Sequence, residues 1–247
     1  MQTGKIRSFK IITLSLLFTA YTCGRAIIKS MLRNISRKWC DEELQRWVNR
    51  LKNLLDIKLK IYNPHKVEPQ PGQATILMCN HSSLFDIPLS LLAFPNHSVR
   101  MLSKKQIANI PIMGGGMIAA EFPLIDRENR KQAIRDLKVV EDLLKTGIVM
   151  WIAPEGTRSA DGKLGKFKKG GFITAISTKA TIIPMGIRGV SNILPARTKN
   201  FNLGQNAEIH IGKPINAGKY QLSQKDELSR EVYAAIQELL GVSRAYA

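Results

Sequence analysis

Short apolar runs alternate with amphipathic stretches along most of the chain. Runs of strand length occupy residues 75–79, 99–103, 148–152, 181–187 and 208–211. Apolar residues at helical spacing predict helices over residues 129–145, 172–178 and 223–240, the last with Ser223 as its N-cap. Strands that alternate with helices are typical of layered proteins with a parallel sheet. The pattern therefore predicts an α/β fold with a mainly parallel sheet flanked by helices.

The N-terminal part of the chain has a different pattern. Residues 11–24 contain no charged side chain, and basic residues stand on both sides of them. The stretch is shorter than the roughly 20 apolar residues of a straight membrane span. A signal peptide has a similar shape, but no good cleavage site follows. A buried core helix is a second interpretation, and we favour a third, a helix that dips into one leaflet of a membrane.

Residues 39–59 predict a second N-terminal helix. Its apolar positions recur at near-helical spacing and comprise Leu44, Trp47, Val48, Leu51, Leu54 and Leu55. Basic residues fill the other face, which suits an anionic lipid surface, although a helix pair packed on a globular domain has the same pattern. The proline-rich residues 64–72 are typical of a linker. We therefore predict membrane-associated helices over residues 1–63 and an α/β domain over residues 64–247.

The chain is strongly basic. Its 37 Lys and Arg residues against 19 Asp and Glu residues give a net charge of +18, which indicates an anionic partner such as a nucleic acid, a membrane or a phosphorylated substrate. Nucleic-acid binding is disfavoured, because aromatic residues make up only 6% of the chain and the basic excess is concentrated beside the apolar N-terminal stretch. We expect an anionic phospholipid membrane as the partner.

The cysteines and histidines exclude some kinds of site. Cys23, Cys40 and Cys79 form no C-x-x-C pair, and their odd number is typical of reduced thiols in a cytosolic setting. None of the four histidines has metal-ligand spacing with another His or with a Cys. The sequence therefore predicts no disulfide framework and no metal site. Together with the basic N-terminal part, it predicts a protein bound to the cytoplasmic face of the cell membrane, peripherally or as a monotopic protein.

A histidine and an aspartate follow the predicted strand 75–79. His81 precedes Asp86 by five residues, and the two can form an imidazole–carboxylate pair if the chain turns into a helix between them. The carboxylate then orients the ring and stabilises the imidazolium, which lets the histidine accept a proton from a hydroxyl group near neutral pH. The alternative is a structural histidine at the end of a strand.

A second polar segment follows the predicted strand 148–152. Gly156 allows a ligand to approach the backbone, Thr157 adds a hydroxyl donor, and Arg158 can bind a phosphate with two hydrogen bonds. Glu155 can orient a basic residue or a substrate hydroxyl. The alternative is a charged surface turn.

The two segments, taken with two others, resemble the glycerolipid acyltransferase family. Its motifs occur here in order as Asn80-His81 with Asp86, Leu124-Ile125-Asp126-Arg127, Pro154-Glu155-Gly156-Thr157-Arg158 and Ile182-Ile183-Pro184. The best-known members of the family convert 1-acylglycerol-3-phosphate to phosphatidic acid. The resemblance implies an O-acyltransferase that uses acyl-CoA or an acyl carrier protein thioester as co-substrate and needs no other cofactor. Glycerol-3-phosphate or another lysophospholipid is an alternative acceptor, and a non-catalytic basic membrane-binding protein is a distant alternative.

The resemblance also implies roles for individual residues. His81 is the general base, Asp86 is its partner, and Lys105 binds phosphate or helps to stabilise the oxyanion. A solvated pair of surface lysines, Lys104 and Lys105, is the alternative for that position. The residues that bind the substrate phosphate are Arg127, Glu155, Gly156, Thr157 and Arg158.

Two positions depart from the family pattern. The glycine that usually opens the second motif is replaced by Glu121, and the phenylalanine that usually opens the third motif is replaced by Ala153. The first change affects the local backbone path, and the second removes an apolar wall.

Overall fold

The computed structural model describes residues 3–126, 128–159 and 161–241. The helices are α1 (Lys5–Met31), α2 (Arg37–Leu54), α3 (Asp86–Ser90), α4 (Met113–Ala119), α5 (Arg130–Lys145), α6 (Gly170–Ser177), α7 (Val190–Ile193) and α8 (Lys225–Leu239). The strands are β1 (Lys58–Tyr62), β2 (Thr75–Cys79), β3 (Val99–Met101), β4 (Ser103–Lys104), β5 (Leu124–Ile125), β6 (Val149–Ile152), β7 (Thr181–Arg188), β8 (Asn206–Ile211) and β9 (Ile215–Asn216).

The main sheet confirms the predicted architecture. Its strand order is β1-β8-β7-β2-β6-β3, with β9 beside β7. The pairs β1/β8, β2/β7, β2/β6 and β3/β6 are parallel, and β7 is antiparallel to β8 and β9. Central strands such as β2 are buried along their whole length, because a sheet covered on both faces needs apolar residues at every position.

Helices cover both faces of the sheet. Because side chains alternate along a strand, Leu77 of β2 packs in one core, together with Val48 of α2 and Ile11 of α1. Its neighbour Ile76 packs in a second core, together with Val140 of α5 and side chains of α6 and α8. The two N-terminal helices therefore lie on one face, and α5, α6 and α8 lie on the other.

Helix α1 lies partly on the domain and is partly uncovered. Among the described residues it is the one helix long and apolar enough to cross a membrane by length and composition, and only 17% of its most apolar window is buried. The structure therefore does not show α1 as a fully buried core helix. The exposed side chains of α1 include Ile6, Phe9, Leu16, Leu17, Tyr21 and Ile28. One apolar helix is thus available to associate with a membrane.

The structure corrects three details of the predicted elements. The second helix ends at Leu54, and residues 58–62 pair with β8 as an edge strand, although the predicted helix ran to residue 59. The last helix begins at Lys225 without a side-chain cap, because Ser223 lies inside a preceding short 3-10 helix. The predicted strand 99–103 is divided into β3 and β4, since Ser103 and Lys104 pair with β5 instead. Strand β1 belongs to the predicted N-terminal part of the chain but pairs with β8 in the main sheet. The division of the chain at residue 63 stays a prediction.

Candidate active site

The two polar segments that follow β2 and β6 lie side by side. The strands are parallel neighbours, with Met78 opposite Ile152, so their carboxyl ends meet at one edge of the sheet. The backbone N–H of Ser159 donates to the carbonyl oxygen of His81 at 2.7 Å. The structure therefore brings the first and third predicted motifs together.

The predicted imidazole–carboxylate pair is formed. His81 Nδ1 lies 2.9 Å from Asp86 Oδ2, and Asp86 is completely buried at the start of α3. The same oxygen accepts hydrogen bonds from the backbone N–H groups of Ser82 at 2.6 Å and Ser83 at 2.7 Å. Because a carboxylate only accepts, Nδ1 carries the ring proton and Nε2 is left as a proton acceptor. The His81 side chain is 14% exposed.

Two neighbours fix the surroundings of His81. The ring of Trp151 in β6 meets the imidazole edge to face, with centroids 5.8 Å apart. Asn80 exchanges two hydrogen bonds with the backbone of Ile187 in β7, at 2.9 and 2.8 Å. This amide joins the end of β2 to the next strand. Asn80 belongs to the first predicted motif, but no local feature of the sequence indicates that its partner is Ile187.

Glu155 holds two backbone segments. Its Oε1 accepts from the N–H of His81 at 2.9 Å, and its Oε2 accepts from the N–H of Gly165 at 2.8 Å. Burial raises the pKa of the Glu155 carboxyl, and the two backbone hydrogen bonds oppose that shift. Both oxygens are therefore already used within the chain. Phosphate binding by Glu155 stays a prediction.

The rest of the third motif presents groups suited to an anion. Gly156 has φ +75°, a left-handed conformation that glycine adopts without steric cost, but its backbone N–H donates to the carbonyl oxygen of Ala153 at 3.0 Å and is already used within the chain. Thr157 is exposed and Arg158 is partly exposed. The guanidinium of Arg158 makes no hydrogen bond or ion pair within the described part of the chain, so its donors are available to a ligand.

The second motif lies beside the predicted lysine. Strands β4 and β5 pair in parallel and place Lys104 opposite Ile125. Lys105 follows, and its Nζ lies 3.7 Å from Asp126 Oδ2. Arg127, predicted to bind phosphate, lies outside the described residues. The part of the second motif that the structure describes is therefore adjacent to Lys105.

An apolar cavity lies between the N-terminal helices and the domain. Its lining includes Cys23 of α1, Trp47 of α2 and Met117 of α4. Ile87 and Leu91 also line it, and Ile87 directly follows Asp86. The cavity therefore reaches the helix that carries the carboxylate partner of His81.

No cluster of His, Cys, Asp or Glu suited to a metal ion occurs in residues 3–126, 128–159 and 161–241. The expectation of a reaction without a metal or other cofactor stays a prediction.

The relatives that this chain resembles are named 1-acyl-sn-glycerol-3-phosphate acyltransferases. The chain is 34% identical over 151 residues to a chloroplastic 1-acyl-sn-glycerol-3-phosphate acyltransferase from Arabidopsis thaliana, covering 61% of this chain and 42% of the relative. It is 28% identical over 220 residues to a 1-acyl-sn-glycerol-3-phosphate acyltransferase from Saccharomyces cerevisiae, covering 85% and 70%. The chain spans less than half the length of the first four such relatives.

A solved structure shares the fold. The crystal structure of the 1-acyl-sn-glycerophosphate acyltransferase PlsC from Thermotoga maritima superposes with a TM-score of 0.79 at 22% identity, covering 98% of this chain and 97% of that one. The family model described as Acyltransferase matches residues 58–188, which is more than half of the chain. These residues hold β1 to β7 and both polar segments at the edge of the sheet, and the chain therefore belongs to the acyltransferase family.

Proposed function

We propose that this protein transfers a fatty acyl group from an acyl thioester to the sn-2 hydroxyl of 1-acylglycerol-3-phosphate, which gives phosphatidic acid. The observation that carries the proposal is the 2.9 Å contact between His81 Nδ1 and the buried carboxylate of Asp86. The names of the relatives support the choice of acceptor.

His81 acts as the general base in this reaction. Its Nε2 removes the proton of the acceptor hydroxyl while the oxygen attacks the thioester carbonyl carbon. Asp86 stabilises the resulting imidazolium, and the N–H groups of Ser82 and Ser83 keep the carboxylate in place. When the tetrahedral intermediate collapses, the carbon–sulfur bond breaks and His81 returns its proton to the leaving thiolate. The products are the ester and the free thiol.

The developing oxyanion needs hydrogen-bond donors, and such stabilisation is commonly a large part of catalysis. We assign this role to Lys105 or to backbone N–H groups at the edge of the sheet. Lys105 is largely exposed and its contact with Asp126 is long, at 3.7 Å, so the ammonium group can move to a substrate at small cost.

Arg158 binds the acceptor phosphate, together with Arg127 and Thr157. The support for this role is a guanidinium without a partner in the described chain. We assign Glu155 to positioning, because its oxygens hold the backbone of His81 and Gly165.

The protein acts at the cytoplasmic face of a membrane. The exposed apolar side chains of α1 lie in the lipid, and the basic residues of the N-terminal part contact anionic headgroups. The cavity lined by Cys23, Trp47 and Ile87 receives an acyl chain. A lipid acceptor then reaches His81 without leaving the membrane surface.

The deciding experiment measures acyl transfer to 1-acylglycerol-3-phosphate in anionic vesicles, with acyl-CoA and with acyl carrier protein thioesters as donors. Wild type should form phosphatidic acid, and His81→Ala should lose at least about a thousandfold in turnover. His97→Ala is the matched control, because His97 pairs with Glu68 at the surface. Retained turnover in His81→Ala would contradict the mechanism.

The acceptor is tested by substrate exchange. Glycerol-3-phosphate and lysophospholipids without a phosphomonoester should be poor acceptors, and Arg158→Ala should raise the KM for 1-acylglycerol-3-phosphate about tenfold or more. Lys163→Ala, at an exposed position of the same loop, should leave that KM unchanged. If an acceptor without the phosphate is used equally well, the proposed substrate is overturned, while the family assignment stands.

A further inference from the structure

Ile112 has an unfavourable backbone conformation. It precedes α4 with φ +66° and ψ −50°, and a β-branched residue at positive φ is a steric outlier in proteins. A glycine at this position would adopt the same φ without strain. The backbone N–H of Met113 donates to the carbonyl oxygen of Pro111 at 2.7 Å, so Ile112 is the central residue of a tight three-residue turn, which leaves its side chain at the surface.

Exposed isoleucines lie on both sides of this turn in the sequence. Ile112 is 50% exposed, and two other isoleucines of the same region, Ile110 and Ile118, are 45% and 59% exposed. Pro111 between the first two is also exposed. A group of exposed branched apolar side chains in one short segment is a common sign of an interaction surface. We call Ile110, Ile112 and Ile118 the isoleucine patch.

The isoleucine patch continues the uncovered face of α1. The Cγ2 atom of Ile112 lies 4.0 Å from the place where a Cβ on Gly24 would stand. Tyr21 and Ile28, three residues before and four residues after Gly24, share its side of the helix, and both are exposed. The patch therefore adjoins exposed side chains of α1, and the guanidinium groups of Arg25 and Arg50 lie over the Tyr21 ring.

Basic side chains precede the patch in the sequence. Lys104 and Lys105 are exposed, and Lys105 starts the short 3-10 helix that leads to Ile110. Apolar side chains flanked by lysines are typical of surfaces that enter the boundary between the headgroups and the hydrocarbon of an anionic bilayer.

We propose that the isoleucine patch is a second membrane contact, on the catalytic domain itself, and that its three side chains insert into an anionic phospholipid bilayer beside α1. The inference rests on the membrane association in the proposed function. With both α1 and the isoleucine patch in the lipid, the domain would be held in one rotation about α1 and at one distance from the bilayer.

The test is sedimentation with phosphatidylglycerol vesicles in the absence of substrate. Ile112→Gly relieves the backbone strain and removes the side chain, so its thermal unfolding midpoint should stay equal or rise while its vesicle partition coefficient falls about fivefold. Ile118→Ser should weaken partition similarly, and the triple variant with Ile110→Ser should weaken it by about a hundredfold.

Leu222→Ser is the matched control. Leu222 is 53% exposed and lies in the segment that packs with α6 and α8, on the sheet face opposite α1. Its partition coefficient should equal that of wild type. Equal partition of Ile112→Gly and wild type would overturn the proposal, and so would a wild-type protein that stays in the supernatant. The vesicle measurement decides the membrane contact even if the protein showed no acyl transfer.

Discussion

Arg37 at the start of α2 holds the carboxylate of Glu121 with two hydrogen bonds, from Nε to Oε2 at 2.7 Å and from Nη2 to Oε1 at 2.6 Å. Glu121 follows α4 with φ +64°, the region in which glycine is the usual residue. Arg37 also donates to the carbonyl oxygen of Thr146, after α5, at 2.8 Å. One guanidinium thus joins α2, α5 and the segment that leads to the second motif.

This pair explains how the chain departs from the family pattern at residue 121. The backbone at Glu121 has a positive φ, which glycine adopts without steric cost, and the ion pair offsets the steric cost of a side chain there. The same contact couples the second N-terminal helix to the segment before Arg127.

A double-mutant cycle of Arg37→Ala and Glu121→Gly measures this compensation. Glu121→Gly alone should change the free energy of unfolding by less than about 0.5 kcal/mol, because relief of roughly 1 kcal/mol of strain opposes the loss of a half-exposed ion pair. Arg37→Ala alone should destabilise by about 1 kcal/mol. We expect a coupling energy of about 0.5–1 kcal/mol from urea unfolding, and an additive cycle would contradict the compensation.

The Arg37–Glu121 pair should also respond to acid. The hydrogen bonds from Arg37 lower the pKa of Glu121, so the folded-state pKa lies below the unfolded value of about 4.3. The stabilisation is therefore present above the unfolded pKa and is lost as the pH falls through the folded pKa. The difference in unfolding free energy between wild type and Glu121→Gln should be larger at pH 7 than at pH 3. A difference that is the same at both pH values would contradict the assignment.

Glu155→Gln separates positioning from substrate binding. A glutamine has one acceptor oxygen, so it cannot hold the N–H groups of both His81 and Gly165. We expect kcat for acyl transfer to fall about tenfold to a hundredfold through misplacement of His81, with the KM for the acceptor within about twofold of wild type. A raised acceptor KM at unchanged kcat would instead place Glu155 in contact with the acceptor.

Two adjacent glycines of α4 should differ sharply in their tolerance of alanine. A Cβ on Gly116 would lie 2.4 Å from Cys23 Cβ and 2.6 Å from Cys23 Cα in α1, whereas a Cβ on Gly115 would lie 3.1 Å from the terminal methyl of Ile27. Gly116→Ala should destabilise the protein by about 2–3 kcal/mol by separating α1 from α4.

Gly115→Ala is the matched control, because a terminal methyl can move and alanine favours the helix. It should change the stability by less than about 1 kcal/mol. Thermal unfolding followed by circular dichroism compares the two variants. Equal midpoints would show that α1 and α4 are not packed as closely as the structure has them.

Several features could be predicted from the sequence because their causes are local. The apolar runs of β2 and β6 place buried strands correctly, since each run is long enough for one strand and is bounded by polar or turn-forming residues. His81 and Asp86 are five residues apart, so a single turn into α3 brings them together. The alternation of strands and helices similarly predicts the mainly parallel sheet.

Other features depend on partners that are distant in the chain. Glu155 reaches His81 across 74 residues, and Asn80 reaches Ile187 across 107. The predicted helix runs to residue 59, yet residues 58–62 form a strand because β8, far along the chain, offers an edge with unpaired backbone groups. The sequence by itself determined the layers of the fold and the His81–Asp86 pair. Only the tertiary structure decided which polar side chains hold the backbone and which, like Arg158, are left available, because hydrogen bonds between distant segments exist only after the chain has packed.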